Sequence, residues 1–301
     1  MNYYLQARTL GKDKKIYISE EEYNDLKLAC NTLSTFFDFT ENYRVVVESY
    51  ILVEKAKHDA ELDHVLHKRY GYEDFSNVRV ALSAPIVGYL ASARYFLDSS
   101  DKILREILSE SNIESFKKFH HNIYDSNREY RFIEALRNYA QHRNLPIHNI
   151  TYHNFLEDKD STVQSDRVTT LSLHAKKVSL KRDKKFKKAA LEGMPETIDI
   201  IFCIRFHMEG IWKLFDYFYK SYSDIVDNAR ILVSNAIDKL KEVSGNDSLI
   251  FQVVADKSDK KAIDKTTLML EWDDARRTVY KNLGDLINLH KHYITGKIQK
   301  A

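Results

Sequence analysis

The sequence predicts a mainly α-helical fold, on three observations. Only eight Gly and three Pro (Pro85, Pro146 and Pro195) interrupt 301 residues, and so few breakers favour long helices over many short strands and turns. Hydrophobic residues make up 44% of the chain and charged residues 30%, a globular composition and not a disordered one. Several long stretches repeat apolar residues at helical spacing. The expected organisation is a single α-rich unit over 1–301. Its helical core covers 19–145 and 195–245, a basic β and loop insert covers 146–194, and strands with a helix cover 246–301.

"KKIYI" (14–18) reads as a short strand. From Ser19, "SEEEYNDLKLACNTL" opens a helix, with a hydroxyl followed by three carboxylates at the positive end of the dipole. Val46, Tyr50, Val53 and Lys57 carry the helical pattern onward to the Gly71 region. A further helix spans 78–108, with Pro85 near its start, and shorter ones cover 112–124 and 128–144. After Pro146, "NITYHNFLEDKDSTVQSD" reads as loop, and "RVTTLSLHAKKVSL" alternates with period two as a half-exposed strand does. "RDKKFKKAALEGM" forms a short basic helix. Beyond Pro195 comes an aromatic-rich helix whose "IWKLFDYFYKSY" packs in the core, then a helix over 223–243. Strands at "SLIFQVVAD" and "TTLMLEWDD" and a helix over 274–295 complete the chain.

The beginning of the chain has no apolar signal region, and no uninterrupted apolar run approaches the length of a membrane span. Cys30 and Cys203 lie in apolar helical patterns and read as buried free thiols. A soluble, cytoplasmic protein without membrane contact is therefore expected. Phosphate-binding glycine loops, dinucleotide fingerprints, nucleophile elbows and zinc cysteine frameworks are absent, which excludes the familiar nucleotide hydrolases, dehydrogenases and zinc modules. Asp63, His64 and His67 have ligand-like spacing but no third partner, and "HH" (120–121) and "HKH" (290–292) are weaker still. Neither a metal nor a cofactor is expected.

Net charge is only +2, but between Arg137 and Lys188 there are 12 basic and 5 acidic residues, so this segment carries +7 and the remainder −5. Such a segment suits a polyanionic partner. Within it, "KKVSLKRDKKFKK" (176–188) has eight Lys/Arg in thirteen residues. Lys181, Arg182, Lys184 and Lys185 are candidate contacts to an RNA backbone, with Phe186 placed to stack on a base. A solvated basic turn is the plain alternative.

The stretch "LRNYAQHRNLPIH" (136–148) brings a cation, an amide and an imidazole to a helix end closed by Pro146. At roughly 100° per residue, Phe132, Ile133, Leu136, Tyr139 and Ala140 form one apolar stripe facing the core. Asn138 and His142, four apart, share the open side, where the amide can orient the imidazole. Arg137 is about 140° around the axis from His142 and on the order of 7.5 Å along it. One straight helix does not easily place both on one phosphate, whereas two such helices at a symmetric interface would. The residue types suit metal-free RNA cleavage, since histidine moves a 2′-hydroxyl proton near neutral pH and arginine stabilises charge on the phosphoryl oxygens. In the plain alternative, Arg137 pairs with Glu134 and His142 is solvated.

"RNYAQH" resembles the Arg–x(4–6)–His motif of the HEPN superfamily (higher eukaryotes and prokaryotes nucleotide-binding), with Arg137, Asn138 and His142 in its three polar slots. Arg143 to His148 and Arg167 to His174 match the bare spacing too, but only the first pair ends a helix with an apolar stripe. The resemblance implies a HEPN-like helical bundle, here with a small β element inserted after the motif helix and a β-containing C-terminal region. It further implies a homodimeric endoribonuclease that leaves a 2′,3′-cyclic end, with Arg137, Asn138 and His142 catalytic and Arg143 beside the RNA. A toxin or defence role follows by family analogy. Toxins of the family that pair with nucleotidyltransferase antitoxins carry a Tyr two residues after the His. Asn144 stands there instead, so control by tyrosine modification is not implied, and any antitoxin or regulatory partner is unidentified. The rival expectation is a non-catalytic helical protein that binds RNA or a protein partner through its basic segment.

Overall fold

The computed structural model describes residues 1–9, 13–67, 71–156, 167–245, 248–257, 262–284 and 286–292. It is mainly helical, with some antiparallel sheet. The helices are α1 (Glu20–Leu66), α2 (Tyr72–Ile107), α3 (Glu110–Ser126), α4 (Arg128–His142), α5 (Lys177–Arg182), α6 (Ile200–Ser221), α7 (Ser223–Ser244) and α8 (Glu271–Asn282). The strands are β1 (Asn2–Thr9), β2 (Lys14–Tyr17), β3 (Asn149–Leu156), β4 (Arg167–Lys176), β5 (Thr197–Asp199), β6 (Ser248–Asp256) and β7 (Ala262–Thr267). The chain forms two compact units, one of residues 1–42, 99–113 and 215–284 and the other of 43–98, 114–214 and 285–301, and it passes between them within α1, α2, α3 and α6.

In the first unit, α1 begins where the sequence places it. Ser19 Oγ accepts from Glu22 N at 3.0 Å while Glu22 Oε2 accepts from Ser19 N at 3.2 Å, a reciprocal cap for two otherwise orphaned donors. The unit's antiparallel sheet has the order β2-β1-β6-β7, and β1 meets β6 with Leu5 opposite Val253. Strand β1 was not anticipated: Tyr4, Leu5, Gln6 and Ala7 are all buried, so the alternation that marks a half-exposed strand is missing. Phe36 and Phe39 of α1 pack on Phe218 of α6, with ring centroids 4.8 and 3.9 Å apart. "EWDD" opens α8 instead of ending a strand, because Glu271, Asp273 and Asp274 occupy its first turn. Asp273 is fully buried and bonds Arg230, Arg276 and Arg277 at 2.6 to 2.8 Å.

In the second unit, "NITYHNFL" is strand β3 and not loop. It is an edge strand of the sheet β3-β4-β5, largely half-buried or exposed, so it lacks an apolar face to read. The rest of the expected loop, 157–166, lies outside the described residues, as do 293–295 of the expected last helix. Glu61 of α1 anchors the sheet by accepting from Leu171 N at 2.8 Å, and Arg205 of α6 grips Glu54 with two bonds of 2.7 and 2.8 Å. Acidic residues Glu73 and Asp74 start α2 earlier than expected, which leaves Pro85 inside it. By length and composition α2 could cross a membrane, with a stretch of mean hydropathy 1.3. Its Leu82, Ile86, Tyr89, Leu90, Ala93 and Phe96 are buried in the protein at helical spacing, as in a core helix.

Candidate functional site

The motif helix α4 is fixed at both ends. At its start the Asn127 side chain accepts from Tyr130 N at 2.8 Å. Along its length Phe132, Ile133, Leu136 and Tyr139 are buried, as the stripe predicts, with Tyr130 and Ala135 added and Ala140 only half-buried. After Arg143 the chain turns through Pro146 and is held by Arg79 Nε donating to Ile147 O at 2.6 Å. His148 accepts from Lys176 N at Nδ1, 2.9 Å, and its Nε2 lies 3.2 Å from the Tyr139 hydroxyl. With Nδ1 accepting, Nε2 carries the proton and donates to Tyr139. Burial first, then Arg79 and Lys176, push the His148 pKa below its ordinary value, which favours this neutral form. His148, the end of the second Arg-to-His match, is thus a strut between α4 and β4.

Two clefts flank the open side of α4. One, of about 400 Å3, is lined by Ala135, Asn138, Tyr139, His142 and Arg143 together with Asp183 and Lys185 to Lys187. The other, of about 340 Å3, is lined by Ala135, Arg137 and Asn138, with Arg94, His120, His121, Tyr124, Glu134 and Lys187. Asn138, Ala135 and Lys187 belong to both, so they form the wall the clefts share. Arg137 opens to one cleft and His142 to the other, the separation that the helix geometry requires.

Glu134 does not pair with Arg137. Its Oε1 bonds His207 Nε2 at 3.1 Å and its Oε2 lies 3.9 Å from Arg94. Burial acts to raise the Glu134 pKa, but His207 above all, then the charges of Arg137 and Arg94, outweigh it and hold the carboxyl below its ordinary value. Arg137 donates to Gln141 Oε1 at 3.2 Å, and its Nε is buried without a partner. Among the described residues no bond joins Asn138 to His142, so the expected orienting contact is not made, and both side chains are exposed on the helix surface. Arg143 sits 4.0 Å from Asp183.

The basic segment forms not one helix but α5, a turn and a 3-10 turn at Lys188–Leu191. Asp183 Oδ1 accepts from Lys185 N at 2.8 Å and tightens the turn between them. Phe186 is buried against Phe132 and Tyr139 instead of facing a base, because the apolar stripe of α4 needs a cover there. Lys185 reaches the cleft of His142, while Lys181, Arg182 and Lys184 are exposed and line neither cleft. The sequence reading missed Lys187, which lines both and donates to the Tyr124 hydroxyl at 2.6 Å, as well as Arg94, His120 and Tyr124. The only prior signal for His120 was the "HH" pair.

Other expected features fall elsewhere. His64 stacks on Tyr152 at 3.8 Å and His67 pairs with Asp63 at 2.9 Å, so neighbours engage both imidazoles. Among the described residues no group of three His, Cys, Asp or Glu is placed to hold a metal ion. Cys30 and Cys203 are buried, and burial pushes the Cys30 thiol up to about 11. The chain matches no protein-family model, no curated protein and no solved structure.

Proposed function

We propose that the protein is a HEPN-like, metal-independent endoribonuclease of the cytoplasm, working on single-stranded RNA at the open face of α4. The observation that carries this reading is the set of basic side chains around Asn138. Arg137, His142 and Lys187 border the two clefts, and among the described residues none of them is ion-paired to a carboxylate. Unspent cations in a concave surface suit a phosphate backbone, and an imidazole among them supplies proton transfer. Arg137 stabilises the phosphoryl oxygens, His142 moves a proton, Asn138 binds at the shared wall, and Arg143 and Lys185 extend the contact. A homodimer, each copy supplying part of the site, brings Arg137 and His142 to one phosphate. By family analogy, such an activity serves as a toxin or defence effector.

The test is incubation of purified protein with single-stranded RNA in EDTA, beside Arg137→Ala and His142→Ala. Cleavage should survive the chelator, yield 2′,3′-cyclic ends and fall by roughly 10²–10⁴-fold in His142→Ala, the usual worth of general acid–base catalysis. RNA that is bound but left intact supports the non-catalytic alternative, and full activity in both variants removes the site from α4.

A further inference from the structure

We propose that His120 is a second proton-transfer residue of this site, taking the 2′-hydroxyl proton of an RNA linkage whose phosphate is held by Arg137. The inference rests on the ribonuclease reading and names a catalytic group outside the motif that suggested it.

His120 comes from α3 and lines the same cleft as Arg137. Its Nε2 lies 3.2 Å from the hydroxyl of Tyr130, a fully buried residue whose ring stacks on His207 with centroids 4.4 Å apart. His207 is itself bonded at both nitrogens, to the Tyr89 hydroxyl at 2.8 Å and to Glu134 at 3.1 Å. A chain of core side chains therefore fixes Nε2 of the His120 ring, and with Nε2 donating to the Tyr130 hydroxyl it is Nδ1 that is unprotonated and able to accept. Such backing locks a working side chain in one orientation, which an imidazole that only fills a groove does not require. Burial, followed by His121, His207 and Arg94, lowers the His120 pKa against the opposing pull of Glu134. The neutral, proton-accepting ring accordingly prevails near neutral pH.

The step balances without a metal or redox partner. The 2′-hydroxyl proton passes to His120 Nδ1 as the 2′-oxygen forms its bond to phosphorus. The bond from phosphorus to the 5′-oxygen breaks, and that oxygen takes a proton from a His142 that the proposed dimer brings to the same linkage. Arg137 holds the non-bridging oxygens while negative charge grows on them. The products are a 2′,3′-cyclic phosphate and a 5′-hydroxyl, and exchange with water restores both imidazoles.

A single-stranded RNA oligonucleotide with a bridging 5′-sulfur at one linkage separates the two roles, since a thiolate departs without needing a proton. On ordinary RNA, His120→Ala and His142→Ala should each lose roughly 10²–10⁴-fold in rate. On the sulfur substrate His142→Ala should return close to the unsubstituted protein, while His120→Ala stays slow. Tyr130→Phe, which loses only the hydroxyl that positions His120, should lower kcat with KM unchanged. If His120→Ala proves unfolded by thermal melt, His120→Asn replaces it. A folded His120 variant that cleaves at the full rate, or one that the sulfur substrate rescues, overturns the assignment and leaves the ribonuclease reading standing. No cleavage by the unsubstituted protein overturns both.

Discussion

Gly210 of α6 lies directly under the ring of Tyr130 of α4, so that a Cβ at residue 210 would stand 2.5 Å from Tyr130 Cδ2 and 2.6 Å from Cε2. No side chain fits there unless the ring moves, and this ring also holds His120 and covers His207. Gly210→Ala is expected to destabilise the protein by about 1–3 kcal/mol, the usual cost of overpacking a core. Urea denaturation measures it, and a midpoint equal to that of the unsubstituted protein counts against the close packing of α4 on α6.

Glu134 should make the protein acid-sensitive. Its carboxyl is held below the ordinary value in the folded chain, so its contribution is fully present above the unfolded pKa of about 4.3 and is lost as pH falls through the lower folded value. Glu134→Gln should be less stable near neutral pH yet flatten the fall in stability below about pH 4.5. Equal slopes for the two proteins, measured by denaturant midpoint across that range, refute this.

Asp273 is a buried structural charge of the first unit. It has no exposed surface and faces Arg230, Arg276 and Arg277. Burial alone would raise its pKa, but Arg276 first and then Arg277 hold it down. Asp273→Ala leaves the buried Arg276 without its carboxylate, while Arg230 keeps Asp274 and Arg277 keeps Asp227, and should cost about 3–5 kcal/mol, read from the thermal or urea transition.

Lys187 should matter more for RNA affinity than its louder neighbours. It borders both clefts, whereas Lys181 and Lys184 border neither. Lys187→Ala is expected to weaken RNA binding and to reduce the slope of log affinity against log salt by about 0.7, the value for one contact to a single strand. Lys181→Ala and Lys184→Ala should leave that slope in place. A fluorescence titration at several salt concentrations decides the matter, and equal slopes for all variants would remove Lys187 from the interface.

The residues that announced themselves in the sequence were those whose role is local. Ser19 and Glu22 satisfy each other within one turn, and the α4 stripe buries Phe132, Ile133, Leu136 and Tyr139 at helical spacing. Strand β4 showed itself by alternation that ends in buried Leu171, Leu173 and Ala175. What failed to show depends on distant partners. Strand β1 is a buried strand because it pairs with β6, far along the chain, and Phe186 is a core residue dressed in lysines. At the candidate site, Arg137, Asn138 and His142 were legible because one helix carries them. His120, Arg94 and Lys187 join them only through the packing of α3, α2 and the turn after α5, and no spacing rule records that.

The pairing of β1 with β6, Asn2 opposite Asp256, also dictates an order of events during synthesis. Since ribosomes deliver the amino end first, residues 2–9 must wait until Ser248–Asp256 has emerged before the neighbour they pair with exists. Until then an aggregation-prone edge is left open. The four-stranded sheet therefore closes only after α1 to α7 have been made, and release of the nascent chain before then would leave β1 and β2 without β6 and β7.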